Sequence, residues 1–97
     1  MYAAIRRYKI DPDMIDEMVR RVHEGFVSIV SEAPGFIAYH LMDAGNAEVV
    51  SISIFQDKAG ADESTRLAAE WVSRNVATLV KGPPEIRAGE IVVHKAR

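Results

Sequence analysis

FIAYHLMDA (residues 36–44), GN (45–46) and AEVVSISIFQD (47–57) read as two strands joined by a tight turn. Gly45-Asn46 supplies residue types that tolerate the left-handed backbone of a hairpin loop, and the flanking runs are rich in β-branched and aromatic residues. The two strands therefore pair antiparallel. A sheet with one wet face alternates apolar and polar residues, yet in Phe36-Ile37-Ala38-Tyr39-His40-Leu41-Met42 both alternating sets are largely apolar. Both faces of this sheet need cover.

Upstream, YAAIRRYK (2–9) is a strand ended by the turn at Asp11-Pro12. Asp11 or Asp13 caps a helix in which Met14, Ile15, Met18, Val19, Val22, Phe26, Ile29 and Val30 recur at three- and four-residue intervals. It ends near Glu32, where Pro34-Gly35 stops it. Downstream, Lys58 to Asp62 reads as a polar connection, and Asp62 or Ser64 starts a second helix through LAAEWVSRNVATLV (67–80). Its stripe is Ala68, Trp71, Val72, Val76 and Leu79, and Lys81-Gly82-Pro83-Pro84 breaks it. EIRAGEIVVHK (85–95) is the last strand, with Gly89 as a bulge or close-approach point.

The order βαββαβ predicts one α+β domain over residues 1–97, ferredoxin-like, with a four-stranded antiparallel sheet and both helices on one face. A 97-residue chain has no further element for the other face. A second copy of the sheet, paired about a two-fold axis, is the economical cover, so a homodimer through that face is expected. A domain this small buries only about two-thirds of its unfolded surface, which favours the same arrangement.

Composition narrows the function classes. Hydrophobic residues make up 48% and charged residues 27%, the profile of a globular protein. The formal net charge is −2 with basic residues scattered among acidic ones, so no nucleic-acid partner is expected. No apolar run approaches the roughly 20 residues that span a bilayer, and Arg6, Arg7 and Lys9 interrupt the first apolar stretch. No membrane association is expected, and a cytoplasmic location is. The chain has no cysteine, which removes thiolate chemistry and disulfides. His23, His40 and His94 lack metal-ligand spacing, so no metal is predicted.

Three features carry a family resemblance: the Pro34-Gly35-Phe36 lead-in to the second strand, the long third strand Val49 to Asp57, and Trp71 on the second helix. In these the chain resembles the dimeric α+β-barrel superfamily and, within it, the antibiotic-biosynthesis-monooxygenase-like domains. The resemblance implies a homodimer whose sheets close into a barrel, with a pocket in each subunit between sheet and helices. It further implies oxygen chemistry on an aromatic or quinone-type substrate with no flavin or protein-bound metal, hence no cofactor. The haem-degrading branch uses an Asn on the first strand and a His on the second helix, and neither is present here. The quinone-forming branch pairs a Trp with an Asn on the second helix; Trp71 and Asn75 offer that pair, with Asn75 after the Trp instead of before it.

The candidate site residues follow from these placements. On a helical wheel Asn75 falls between Trp71 and Leu79, near the middle of the apolar stripe, where a buried amide needs partners. It orients a substrate oxygen, or it bonds a neighbouring carbonyl. His40 and Tyr39 point to opposite faces of the second strand, and one of them faces the helices. His40 there is a candidate base for a phenol, or a core or dimer-interface histidine with its ring nitrogens satisfied. Trp71, Tyr39, Phe26 and Gly25 are the candidate substrate-binding residues, Gly25 because missing side-chain volume opens space or permits close packing. Arg6, Arg7 and Arg87 lie on the outer parts of the strands flanking the termini; an arginine near the pocket mouth holds an anionic or phenolate substrate, or all three are solvated strand-edge charge, the commoner case. The expected function is a cofactor-independent monooxygenase, and the alternative is a non-catalytic binding or structural dimer. Cavity volume separates them: an enzyme needs a few hundred Å³ beside Trp71.

Overall fold

The computed structural model describes residues 1–97. Strand β1 (Tyr2–Lys9) leads into a 3₁₀ turn (Pro12–Met14) and then α1 (Ile15–Arg21), a π-helical segment (Val22–Phe26) and α2 (Val27–Ser31). The hairpin β2 (Phe36–Gly45) and β3 (Glu48–Phe55) follows, then α3 (Lys58–Asn75) and β4 (Glu85–Glu90). The four strands pair antiparallel in the order β2-β3-β1-β4, the ferredoxin-like α+β arrangement.

The first helical run is continuous from 15 to 31 but is not uniformly α. Its buried residues, Met18, Val22, Phe26 and Val30, stand four apart. In a 3.6-residue turn that spacing drifts by about 40° at each step. The wider π turn over Val22–Phe26 takes up the drift and keeps all four against the sheet. Val19 and Ile29, which the spacing placed on the stripe, lie outside it and are exposed.

Five boundaries differ from the sequence expectation. The hairpin turn sits one residue later, at Asn46 and Ala47, both with positive φ, while Gly45 ends β2 at a register shift against β3. A second shift, between Phe36 and Ala38, turns Phe36 inward to meet Phe55 edge-on and leaves Ile37 exposed. Helix α3 starts at Lys58, a turn earlier than Asp62, because Asp57 caps it by accepting from the Gly60 N–H at 2.9 Å. Gly60 is thus a helical residue. A Cβ there would stand 2.6 Å from the Phe55 ring, so the glycine lets helix and sheet close together.

The fourth difference is the end of α3 at Asn75, with Val76 and Leu79 buried from the turn that follows. Last, β4 stops at Glu90, opposite Tyr2 at the start of β1, with one further bond from the Ile91 N–H to the Met1 carbonyl at 2.9 Å. Val92 and Val93 are 87% and 85% exposed. Gly89 pairs regularly with Ala3 and marks no bulge.

Parity then sorts the sheet into two faces. Ala4, Arg6 and Tyr8 of β1, Val49, Ser51, Ser53 and Phe55 of β3, and Tyr39 and Leu41 of β2 face the helices; the β1 and β3 members are all buried. Ile5, Ile52, Ile54 and Met42 lie on the opposite face, where Ile5 and Met42 are exposed.

Candidate functional site

Alternation along β1 carries an arginine into the interior. Arg6 is 1% exposed, which corrects its reading as solvated strand charge. Its Nε donates to Ser51 Oγ at 3.0 Å, Nη1 to Thr65 Oγ1 at 3.0 Å and Ser64 Oγ at 3.3 Å, and Nη2 to Ser53 Oγ at 2.7 Å. Register builds this cage. Ser51 stands opposite Arg6 on β3, Ser53 lies one pair further along the same face, and α3 supplies Ser64 and Thr65 from above. Every acceptor is a neutral hydroxyl. Arg7, the next residue, faces the other way and pairs with Glu48 and Glu85, whereas Arg6 makes no ion pair.

The two tyrosines beside the guanidinium do not neutralise it. Burial lowers the Arg6 pKa, but an arginine remains a cation at neutral pH. Burial pushes the Tyr39 phenol up to about 12 and raises that of Tyr8, and the Arg6 cation draws each back only in part. Both phenols therefore hold their protons. Because the folded-state pKa of Tyr39 exceeds the ordinary value near 10, the unfolded chain binds fewer protons between about pH 10 and pH 12. Stability from this group is complete below about pH 10 and is lost as pH rises through about 12, by about 2–3 kcal/mol. Urea unfolding across that range is expected to show the decline, with a shallower slope in Tyr39→Phe. Equal slopes would place Tyr39 in solvent.

Next to the cage lies an aromatic chamber. Phe26 meets Tyr39 edge-on at 5.5 Å between ring centroids and Trp71 at 5.7 Å in a tilted contact. Met18, Val22, Leu41, Tyr8 and Val72 are among the other residues of its wall. Gly25, in the π turn, seats the indole: an added Cβ would stand 3.1 Å from Trp71 Cζ2 and Nε1. Of the two readings of this glycine, close packing is realised, with Trp71 as the partner in place of a strand residue. The free volume inside is about 20 Å³, room for a single water and far below the few hundred Å³ expected of an open site.

Two surface depressions flank the chamber. One, of about 340 Å³, shares Val22, Tyr39 and Leu41 with it; the other, of about 360 Å³, is lined by Arg21, Glu24, Gly25, Trp71 and Asn75. The first thus shares three wall residues with the chamber, and the second shares Trp71.

The structure thus brings Trp71, Tyr39, Phe26 and Gly25 together and leaves His40 and Asn75 outside. His40 pairs with Ile52 and lies exposed on the open face, across the sheet from the chamber. Asn75 is the last residue of α3 and is exposed; its Nδ2 donates to the Trp71 carbonyl at 2.9 Å, which steadies the helix end. Its angle on the wheel, beside Ala68 and Trp71, holds, but the helix ends at this residue, where that side is no longer covered. Sequence reasoning missed the burial of Arg6 and its hydroxyl cage. The available signal was parity: Arg6 shares its face with Ala4 and Tyr8, and Ser51 and Ser53 alternate with Val50, Ile52 and Ile54.

No three His, Asp or Glu side chains converge to hold a metal ion, and no helix is long and apolar enough to cross a membrane. The fold is similar to that of a protein of unknown function from Nitrosomonas europaea, NE2512, at 21% identity and a TM-score of 0.82 over 99% of this chain and 93% of that one. It is similar also to Rv0793 from Mycobacterium tuberculosis, at 17% identity and a TM-score of 0.74 over 98% of each chain. A third relative in structure is a monooxygenase from the gene ActVA-Orf6 of Streptomyces coelicolor, solved with the ligand Nanaomycin D. It is 15% identical, with a TM-score of 0.77 over 99% of this chain and 91% of that one. At such identities these likenesses establish the fold. Among curated proteins no match is found. The sequence profile described as antibiotic biosynthesis monooxygenase matches residues 1–74, three-quarters of the chain, and the chain therefore belongs to that family.

Proposed function

We propose that this protein is a cofactor-independent monooxygenase acting on a small aromatic or quinone-type molecule held at Trp71, Tyr39 and Phe26. The observation that carries the reading is the chamber's roof: a π turn with a glycine under the indole, sharing wall residues with two depressions of several hundred Å³. π turns inside α-helices mark functional sites often enough to direct attention there. Movement of Trp71 or Tyr39 joins the chamber to the surface. The Trp71 Nε1 has no acceptor within the chain and is not among buried unpaired atoms, so solvent, or a substrate oxygen, reaches it.

Oxygen chemistry of this kind needs a substrate that donates its own electrons as an anion. A phenol is oxidised to a quinone: one oxygen atom replaces a ring hydrogen and ends as a carbonyl, the ring C–H and phenol O–H hydrogens leave with the other oxygen as water, and all four electrons come from the substrate, while the protein orients it and excludes solvent. Tyr39 and the Trp71 N–H take the orienting roles in this proposal. The relative from Streptomyces coelicolor, a monooxygenase holding a ligand, supports it. A cytoplasmic location belongs to the same reading.

The closed chamber favours a second reading, a binding or structural dimer without catalysis. Oxygen uptake separates the two. With a panel of dihydroxy-aromatics, the wild type is expected to consume oxygen and Trp71→Phe to do so at least about tenfold more slowly. Equal uptake in both, or none, defeats the enzymatic reading.

The homodimer is proposed through the open sheet face, where Ile5, Met42, Ile52 and Ile54 form an apolar surface and His40 would lie in the seam. Sedimentation is expected to give twice the 10.7 kDa chain mass. Ile52→Asp is expected to give the single mass; a wild type that sediments as one chain overturns the dimer.

A further inference from the structure

Arg6 is a buried cation with no anion. Charges in protein interiors are ordinarily paired, and a guanidinium is the side chain best shaped to receive a carboxylate or phenolate oxygen. Although Arg6 is 1% exposed, one edge of its cage, with Thr65, borders an opening. Between α3 and β4 runs a groove of about 180 Å³, lined by Arg6, Tyr8, Thr65, Ala69, Pro84 and Ile86 among others. A cavity of about 150 Å³ holds a benzene ring, so this groove has the size of one aromatic ring, which the Trp71 chamber in this state has not. Its walls are largely apolar, with the cation at one end.

From these features we infer that the groove between α3 and β4 is a binding site for a single-ring aromatic carboxylate or phenolate, its anionic oxygen directed at Arg6 and Thr65. Thr65 Oγ1 accepts from Arg6 Nη1 at 3.0 Å and donates to no protein group. Its proton is available to the ligand, so the hydroxyl can pass the arginine's polarity into the groove. Ser64, by contrast, already donates to the Ala61 carbonyl at 2.7 Å and is closed to such a role. The ring lies against Ala69, Pro84 and Ile86. Because Tyr8 and Val72 stand between this groove and the aromatic chamber, lining both, the site is separate from the one at Trp71 and holds whether or not that chamber supports oxygen chemistry.

The test is equilibrium binding of benzoate against its neutral isostere benzamide, followed by calorimetry, with 4-nitrophenol above and below its ionisation as the phenolate arm. Benzoate and nitrophenolate are expected to saturate one site per chain, with benzamide weaker by about tenfold or more. Ala69 is exposed on α3, so Ala69→Phe fills the groove without touching the core, and it is expected to abolish benzoate binding in a protein of unchanged melting temperature. Thr65→Val is expected to weaken binding several-fold, and Arg6→Met to remove the preference for the anion. Benzamide binding as tightly as benzoate overturns the proposal. So does Ala69→Phe binding benzoate like the wild type, or a wild type that binds neither anion.

Discussion

Trp71→Ala is expected to remove about 3–5 kcal/mol of stability, the range for deleting a large aromatic from a packed core. A domain of this size has about 5–15 kcal/mol in total, so the variant unfolds at a temperature lower by roughly 15–30 °C. The indole is 8% exposed and contacts Phe26 on one side and the Gly25 backbone on the other. Gly25 has no side chain to move into the vacancy, and Phe26 is held from behind by Tyr39. The site therefore collapses poorly, which puts the loss toward the upper end. A cavity of that shape joins the depression lined by Arg21, Glu24 and Asn75. Free indole is accordingly expected to raise the melting temperature of Trp71→Ala and leave that of the wild type unmoved. A loss below about 1 kcal/mol would mean that Trp71 is not packed as described.

The fold was legible in the sequence because its signals are local and redundant. Pro34-Gly35, the Gly45-Asn46 turn and the Lys81-Gly82-Pro83-Pro84 break bound elements whose period is plain, and β1 matches its expected span, residues 2–9. What was not legible depended on a partner residue. Gly60 looks like loop until Phe55 is placed beneath it, and Asp57 is a cap only once the helix above it is known to start at Lys58. A four-residue spacing such as Met18-Val22-Phe26-Val30 fits a broad α stripe as well as a π turn, and only the sheet decides between them. The candidate site divides in the same way. Trp71, Tyr39, Phe26 and Gly25 converge because large and small residues on apolar stripes have to meet. Asn75 was misplaced because a wheel carries no information about where a helix ends. The burial of Arg6 was missed for a different reason: charge on a strand is read as exposure, and the polar residues that make burial tolerable lie 45 to 59 positions away.

Ser53→Ala, a change of one buried oxygen atom, is expected to destabilise the protein by about 1.5–3 kcal/mol, about twice what a buried serine hydroxyl bonded to a neutral partner would cost. Ser53 Oγ accepts the shortest of the Arg6 bonds, 2.7 Å from Nη2, and the residue is fully buried. Its removal leaves an N–H of a cation facing alanine, with no water to replace the lost acceptor. The decisive comparison is the same substitution in an Arg6→Met background. There the cation is gone, Ser53 has lost its donor, and Ser53→Ala now removes an orphaned hydroxyl, so its effect is expected to be near zero or stabilising. The difference between the two backgrounds, read from urea unfolding as a double-mutant cycle, is expected to exceed about 1.5 kcal/mol. If Ser53→Ala costs the same with and without Arg6, the hydroxyl cage is not what holds the charge in the interior. A large coupling says instead that β3 keeps serine at positions suited to valine because β1 has placed a cation opposite them, at a cost in packing that an apolar core of the same shape would avoid.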